Sequence, residues 1–189
     1  MTMDMETYLN SVLEGYKSSY DIVSDIDIED LPLKATAELH ANEAGYVLIR
    51  KAQMWSASSD EYVYFFAKKG FDEKTARDCI EYAYKEGESK VDVETQKDHM
   101  CTRITVVLIS EHSDDSVRQF VKKEHLYKTI KMSLNGWIEG AAVLVELNDD
   151  MVTSHRYGKE TADFLNGIIN PQARKKKHHI WGIIKEMLQ

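Results

Sequence analysis

Apolar residues fall into three dense runs along this chain: Tyr62-Val63-Tyr64-Phe65-Phe66, Ile104-Thr105-Val106-Val107-Leu108-Ile109 and Ala141-Ala142-Val143-Leu144-Val145. Runs of this length, rich in β-branched and aromatic residues, predict strands buried on both faces. Phe65, Ile104, Val106, Leu108, Val143 and Val145 are therefore expected to be nearly inaccessible. Elsewhere the period changes to three and four. Tyr8, Leu9, Val12, Leu13, Tyr16 and Tyr20 form one stripe and predict an amphipathic helix over 5–20, broken by the acidic stretch through Asp30 and by Leu31-Pro32.

The intervening segments read as follows. Residues 35–42 and 46–55 predict two strands joined by a turn at Asn42-Glu43-Ala44-Gly45, and 61–67 completes a three-stranded meander. Asp72 is a good N-cap for a helix ending at Gly87, with Ala76, Cys79, Ile80 and Ala83 inward. A polar loop over 88–98 precedes a strand at 99–110. Ser113 or Asp114 then caps a short helix that turns Val117, Phe120 and Val121 inward. Leu126, Ile130, Met132 and Leu134 alternate with Tyr127, Thr129, Lys131 and Ser133, which predicts a strand with one wet face. Asn135-Gly136 is a two-residue hairpin signal leading to a strand at 137–147, and a short strand at 151–154 follows. Helices at 158–169 and 171–188 close the chain, with Asn170 capping and Pro171 at the first helical position.

That order of elements predicts an α+β fold with a single mixed, mostly antiparallel sheet flanked by helices. The expected organisation is an α+β core domain over 1–170, including the N-terminal helix, and a C-terminal helix over 171–189 packed on the core. Trp181, Ile184 and Leu188 share one helical stripe and are the expected anchors of that last helix.

Composition adds exclusions. At 189 residues, with 43% apolar and 30% charged residues, the chain is an ordinary globular domain. No apolar run approaches the ~20 residues that span a bilayer, so no membrane is expected. Met1-Thr2-Met3-Asp4-Met5-Glu6 lacks the basic and apolar regions of a secretory signal, and two cysteines make no disulfide framework. Both point to the cytoplasm. The net charge of −8 weighs against nucleic-acid binding. It is unevenly spread: residues 1–30 carry eight acids and one base, and residues 171–189 carry five bases and one acid. The two ends attract each other, within one chain or across a dimer, if they are not simply solvated.

Asp98-His99-Met100-Cys101-Thr102, the Asn135-Gly136-Trp137 turn and Tyr157-Gly158-Lys159 resemble positions in an uncharacterised family of bacterial proteins of unknown function. The resemblance covers most of the chain. It implies no activity and carries no site residues.

Local chemistry is sparse. The opening helix–strand–strand–strand–helix–strand order is shared with the restriction-endonuclease-like core, whose metal site needs an Asp on one central strand and an acid-x-Lys on the next. Tyr46-Val47-Leu48-Ile49-Arg50 has no Asp, and no acid stands two residues before a lysine in Glu61–Lys68. His99 and Cys101 share a strand face and are candidates for a metal pair or a base and nucleophile. The remaining histidines are scattered singly and no Cys-x-x-Cys exists, so no metal and no cofactor are expected. Gly158 and Lys159 open a helix as a phosphate loop does, but Thr153 stands where that loop needs its first glycine. Arg174, Lys175, Lys176 and Lys177 form the one dense basic run, and four bases at a helix start oppose its dipole. That hints at a partner such as the acidic N-terminal segment or a polyanion, against a plain solvated turn.

Two readings remain. The first is a non-enzymatic binding or protein-interaction module, as a homo-oligomer or with a protein partner. The alternative is a hydrolase whose site is assembled from sequence-distant residues such as Glu61, His99 and His155.

Overall fold

The computed structural model describes residues 3–28, 30–41, 58–91, 99–130 and 136–171, and only the backbone of 41, 58, 99 and 100. Its centre is one seven-stranded mixed sheet, mostly antiparallel, with helices on both faces. In chain order the elements are α1 (Met5–Tyr16), β1 (Asp21–Ser24), β2 (Leu33–Ala41), β3 (Ser58–Ala67), β4 (Gly70–Phe71), α2 (Glu73–Ser89), β5 (His99–Ser110), β6 (His112–Ser113), α3 (Asp115–Lys123), β7 (His125–Thr129), β8 (Trp137–Glu146), β9 (Met151–Ser154), a 3-10 turn (Arg156–Gly158) and α4 (Lys159–Ile169). The strands lie in the order β1-β2-β3-β5-β8-β7, and β9 pairs with the far half of β8. The central strands β3, β5 and β8 are mutually parallel, and every other pairing in the sheet is antiparallel. β4 and β6 form a separate two-stranded ribbon.

The three apolar runs are the three parallel strands, because a strand covered by helices on both sides has no wet face to spend on polar residues. Phe65, Ile104, Val106, Leu108, Val143 and Val145 are all fully buried. α2 and α3 cover one face through Ala76, Cys79, Ile80, Ala83, Val117 and Val121, which pack on Tyr62, Tyr64, Phe66, Ile104, Val106, Leu108 and Leu144. α1 and α4 cover the other through Tyr8, Val12, Tyr16 and Leu165, which pack on Val63, Phe65, Val107, Ile109, Val143 and Val145. The Asp72 carboxylate accepts the Thr75 N–H at 2.8 Å and starts α2 where its sequence predicts. α2 sits close on β8: a Cβ at Gly140 would stand 2.7 Å from Tyr84 Cε1 and 3.2 Å from the Ile104 carbonyl oxygen. No helix among the described residues is long and apolar enough to cross a membrane.

Three local expectations are corrected. The first helix ends at Tyr16, not Tyr20. Tyr16 O accepts the N–H groups of Ser19 and Tyr20, and the turn leads into β1. The meander is β1-β2-β3: β2 pairs β3 directly, from Leu33↔Phe66 to Ala41↔Ser59, so no strand lies between them. The expected strand at 46–55 is outside the described residues. The β7–β8 connection is not a two-residue turn. Thr129 pairs with Trp137, and Ile130 N–H donates to Gly136 O at 2.9 Å, a register in which Asn135-Gly136 cannot be the two centre residues of the turn; the expected continuation of the strand through Leu134 lies outside the described residues. Leu126 and Ile130 do face the core, with Tyr127 and Thr129 on the opposite side, as the alternation predicts. The helix expected over 171–188 lies outside the described residues beyond Pro171.

Candidate polar face of the sheet

The face under α1 and α4 changes character along the strands. Its C-terminal part is apolar and helix-covered. Its N-terminal part carries charge on the central strands. The registers Glu61↔Arg103, Arg103↔Glu139 and Glu139↔Tyr127 set these four residues in one lateral row across β3, β5, β8 and β7. Neighbouring strands are about 4.8 Å apart, so the two carboxylates flank Arg103 at roughly 10 Å from each other. Arg103 Nε and Nη2 both donate to Glu139 Oε1, at 2.9 and 2.8 Å. Glu61 is held by hydroxyls: Tyr20 O–H donates to Oε2 at 2.8 Å and Thr105 O–H to Oε1 at 3.4 Å. The Arg103 side chain is 42% exposed and Glu139 21%. Burial opposes the charge on Arg103, but Glu61 and the hydrogen bond to Glu139 outweigh it and raise its pKa. Tyr20 is pushed up by burial and by the Glu61 charge that its hydroxyl faces, so it stays a donor.

Aromatic and imidazole groups rim the row. His125 and His155 stack with ring centroids 4.6 Å apart and planes 10° from parallel. Tyr157 meets both edge-on, at 5.7 and 5.0 Å, and the Arg156 guanidinium lies 4.9 Å over its ring. His155 Nδ1 accepts the Tyr157 N–H at 3.3 Å and caps the 3-10 turn. Burial, His125 and Arg156 lower the His155 pKa, so the neutral acceptor form is favoured. Tyr127 and Tyr157 are among the few exposed large hydrophobic residues. Gly158 brings this turn flush with the sheet, since a Cβ there would stand 3.1 Å from Val143 Cγ2 and 3.3 Å from Ala141 Cβ. Between them Arg103, Thr105, Glu139, Gly140, Ala141 and Tyr157 line a crevice of about 10 Å3, room for a single water.

The residues singled out from sequence separate here. Cys101 lies one step along β5 on the row's face, opposite Trp137. Burial, then Glu139 and Glu61, push its thiol up to about 12, which suppresses the thiolate a nucleophile needs. For His99 only the backbone is described, so its pairing with Cys101 stays outside the described side chains. Gly158 is a packing position, and Lys159 points along α4 to Asp163 at 3.9 Å, not into a phosphate cradle. Arg174, Lys175, Lys176 and Lys177 lie outside the described residues. Glu61 and His155 share a face, but β3 and the β7-stacked His155 are about three strand spacings apart, on the order of 14 Å, beyond proton transfer. Among the described residues no group of three or more His, Cys, Asp or Glu could hold a metal ion.

Two polar networks went unnoticed in the sequence. At the C-terminal edge, fully buried Glu146 accepts Arg118 Nε at 2.8 Å, Arg118 Nη2 at 2.9 Å and the Ser113 N–H at 2.8 Å. Beside it Gly70, Phe71, Asp72, His112, Ser113 and Asp114 line a shallow cleft of about 240 Å3. On the α2 side, His40 Nδ1 lies 2.8 Å from Asp60, and Lys90 pairs with Glu38 over the Tyr62 ring. A lone charge inside an otherwise apolar strand, Arg103 or Glu139, was the one signal the sequence offered for the row.

No curated protein and no solved structure matches the chain. A family model matches residues 4–167, which span α1 through most of α4 and include the whole row. The chain therefore belongs to the family described as Domain of unknown function (DUF8052).

Proposed function

We propose that this protein is a non-enzymatic binding module that takes a polypeptide on the polar end of its α1/α4 face. One observation carries the reading. Central strands β3, β5 and β8 place Glu61, Arg103 and Glu139 in a half-exposed row, on a sheet face that is otherwise apolar. Charges in mid-sheet add little to stability, which favours recognition as their use. The rim of Tyr127, Tyr157, His125 and Arg156 has the aromatic and arginine content of binding hot spots. Within the row two carboxylates stand around one guanidinium, Arg156 lies at the rim, and the exposed tyrosine rings accept cations. The fitting partner is a segment with lysines or arginines next to apolar or aromatic residues, from another protein or a second copy. Against Cys101 as a nucleophile stands its burial, which raises the thiol pKa. The setting we propose is the cytoplasm, in keeping with two free cysteines.

The test is fluorescence anisotropy of the full chain with a labelled Lys/Trp peptide and its Glu/Trp twin. The basic peptide should bind saturably, weaken with salt, and lose at least fivefold affinity in Glu61→Gln and in Tyr157→Ala. Equal binding of both peptides, or indifference to both substitutions, would refute the reading.

A further inference from the structure

We propose that the partner segment binds as an added β-strand along the outer edge of β7, extending the sheet by one strand. The inference rests on the face being a polypeptide-binding surface, and it names the partner's main chain as the group recognised. β7 ends the sheet, and among the described residues no strand pairs with its outer side. The phase of its hydrogen bonds fixes which groups are free. Ile130 N–H donates to Gly136 O, and the register continues through Lys128↔Ile138 and Leu126↔Gly140. Bonded and non-bonded positions alternate in an antiparallel pair, so Leu126, Lys128 and Ile130 turn their main-chain groups toward β8. His125, Tyr127 and Thr129 therefore turn their N–H and C=O groups outward, all three on exposed residues. A strand laid alongside finds a donor and an acceptor at every second residue.

This edge has none of the devices that keep strands from pairing. β7 contains no proline, and its five residues keep an unbroken, bulge-free register with β8. Its lysine, Lys128, is turned to the α2 side and tied to Glu88 at 2.6 and 2.7 Å. The other edges differ. β1 carries Asp21 and runs into Asp25, whose φ of 58° turns the chain out of the strand. β9 has α3 and α4 packed against it. The charges beside β7 are already matched, Lys128 by Glu88 and Glu139 by Arg103, so main-chain bonds supply the strength and side chains the selection. Tyr127 is 56% exposed and lies opposite Glu139, so the partner residue opposite Tyr127 becomes the next member of the row. An aromatic ring or a cation suits that place, and an apolar side chain suits its neighbour beside half-buried Leu126. A second copy fits less well. Two-fold pairing about Tyr127 would set Leu126 against Lys128 and bring together two chains of net charge −8.

The experiment titrates the full chain with the labelled Lys/Trp peptide in two further forms, N-methylated on its odd-numbered or on its even-numbered residues. Only alternate residues of an added strand bond to β7. One form should therefore lose at least tenfold in affinity and the other stay within about twofold of the parent. On the protein side, Tyr127→Pro removes an outward N–H and spares every β7–β8 bond, so it should bind at least fivefold more weakly than Tyr127→Ala. Circular dichroism checks that the proline variant is folded; if it is not, the two methylated peptides decide. Equal affinity of the two methylated forms, or equal binding by folded Tyr127→Pro and Tyr127→Ala, would overturn the proposal. So would a dimer of the free chain that Tyr127→Pro dissociates in sedimentation velocity, since a second copy would then hold the edge. If binding depends on Glu61 and Tyr157 but shows no alternation, the polypeptide-binding face stands and the added strand is wrong. If the unmethylated peptide does not bind, both fall.

Discussion

Both faces of the central sheet carry an arginine–glutamate pair, and the two pairs live in opposite surroundings. On the α2/α3 side, β3, β5 and β8 present Tyr62, Tyr64, Phe66, Ile104, Val106, Leu108, Ile138, Ala142 and Leu144, with Asp60 and Glu146 at opposite ends. The charge at its C-terminal end, Glu146, is fully buried, and Arg118 and a backbone N–H saturate it. On the α1/α4 side, the apolar part ends at Val63, Thr105 and Ala141, and the next row is Glu61, Arg103 and Glu139, open to solvent at the arginine. A buried ion pair acts as a bolt, because losing one partner strands the other in a low dielectric. A half-exposed pair is worth little to the fold and is free to be spent on binding.

Stability measurements can break that contrast. Arg118→Met should cost the most, about 3–5 kcal/mol in urea unfolding at neutral pH, because Glu146 would stay buried without its cation. A loss below about 1 kcal/mol would put Glu146 in contact with water. Leu108→Ala, at the centre of the helix-covered face, should cost about 2–5 kcal/mol with the denaturant slope unchanged. Arg103→Met should cost about 1 kcal/mol or less, while weakening the basic peptide's selectivity over its acidic twin. A large loss from Arg103→Met would make the row structural and remove the contrast.

The smallest effect concerns pH. Burial pushes the thiols of Cys79 and Cys101 from 9.0 up to about 12. Between those values the unfolded chain releases protons that the folded chain keeps. The folded state then binds more protons, so stability falls as pH rises through about 9 to about 12. Cys101→Ala should flatten part of that slope in urea midpoints taken across the window. An unchanged slope would mean that this thiol ionises normally in the folded protein.

Much of the scaffold is legible in the chain. The strand at His99–Ser110 and the short one at Met151–Ser154 lie where the pattern of residues puts them, and so do Asp72 as cap and Ala76, Cys79, Ile80 and Ala83 as an inward stripe. These are local signals: a run, a cap, a period. β1 escaped because four residues with Asp21 and Ser24 at its ends form an edge strand that needs no apolar pattern. The early end of α1 escaped because Tyr20 keeps the helical spacing, while its ring packs 4.8 Å from Tyr16 and its hydroxyl goes to Glu61. The Asn135-Gly136 signal misled because the β7–β8 register is set by Leu126 and Ile130 docking on the core, not by the turn.

By itself, then, the sequence determined the three central strands, the helices that cover them and which of their residues are buried. Each of these follows from interactions within a few residues, or from the cost of leaving apolar side chains wet. Only the tertiary structure decided that β5 lies between β3 and β8, and hence that Glu61, Arg103 and Glu139 stand side by side. Parallel neighbours are joined by crossovers, so their register comes from how α2 and α3 dock, with Tyr84 seated against Gly140, and not from any turn. How far α1 and α4 extend over that face is likewise a packing outcome, and it is what leaves the charged row accessible.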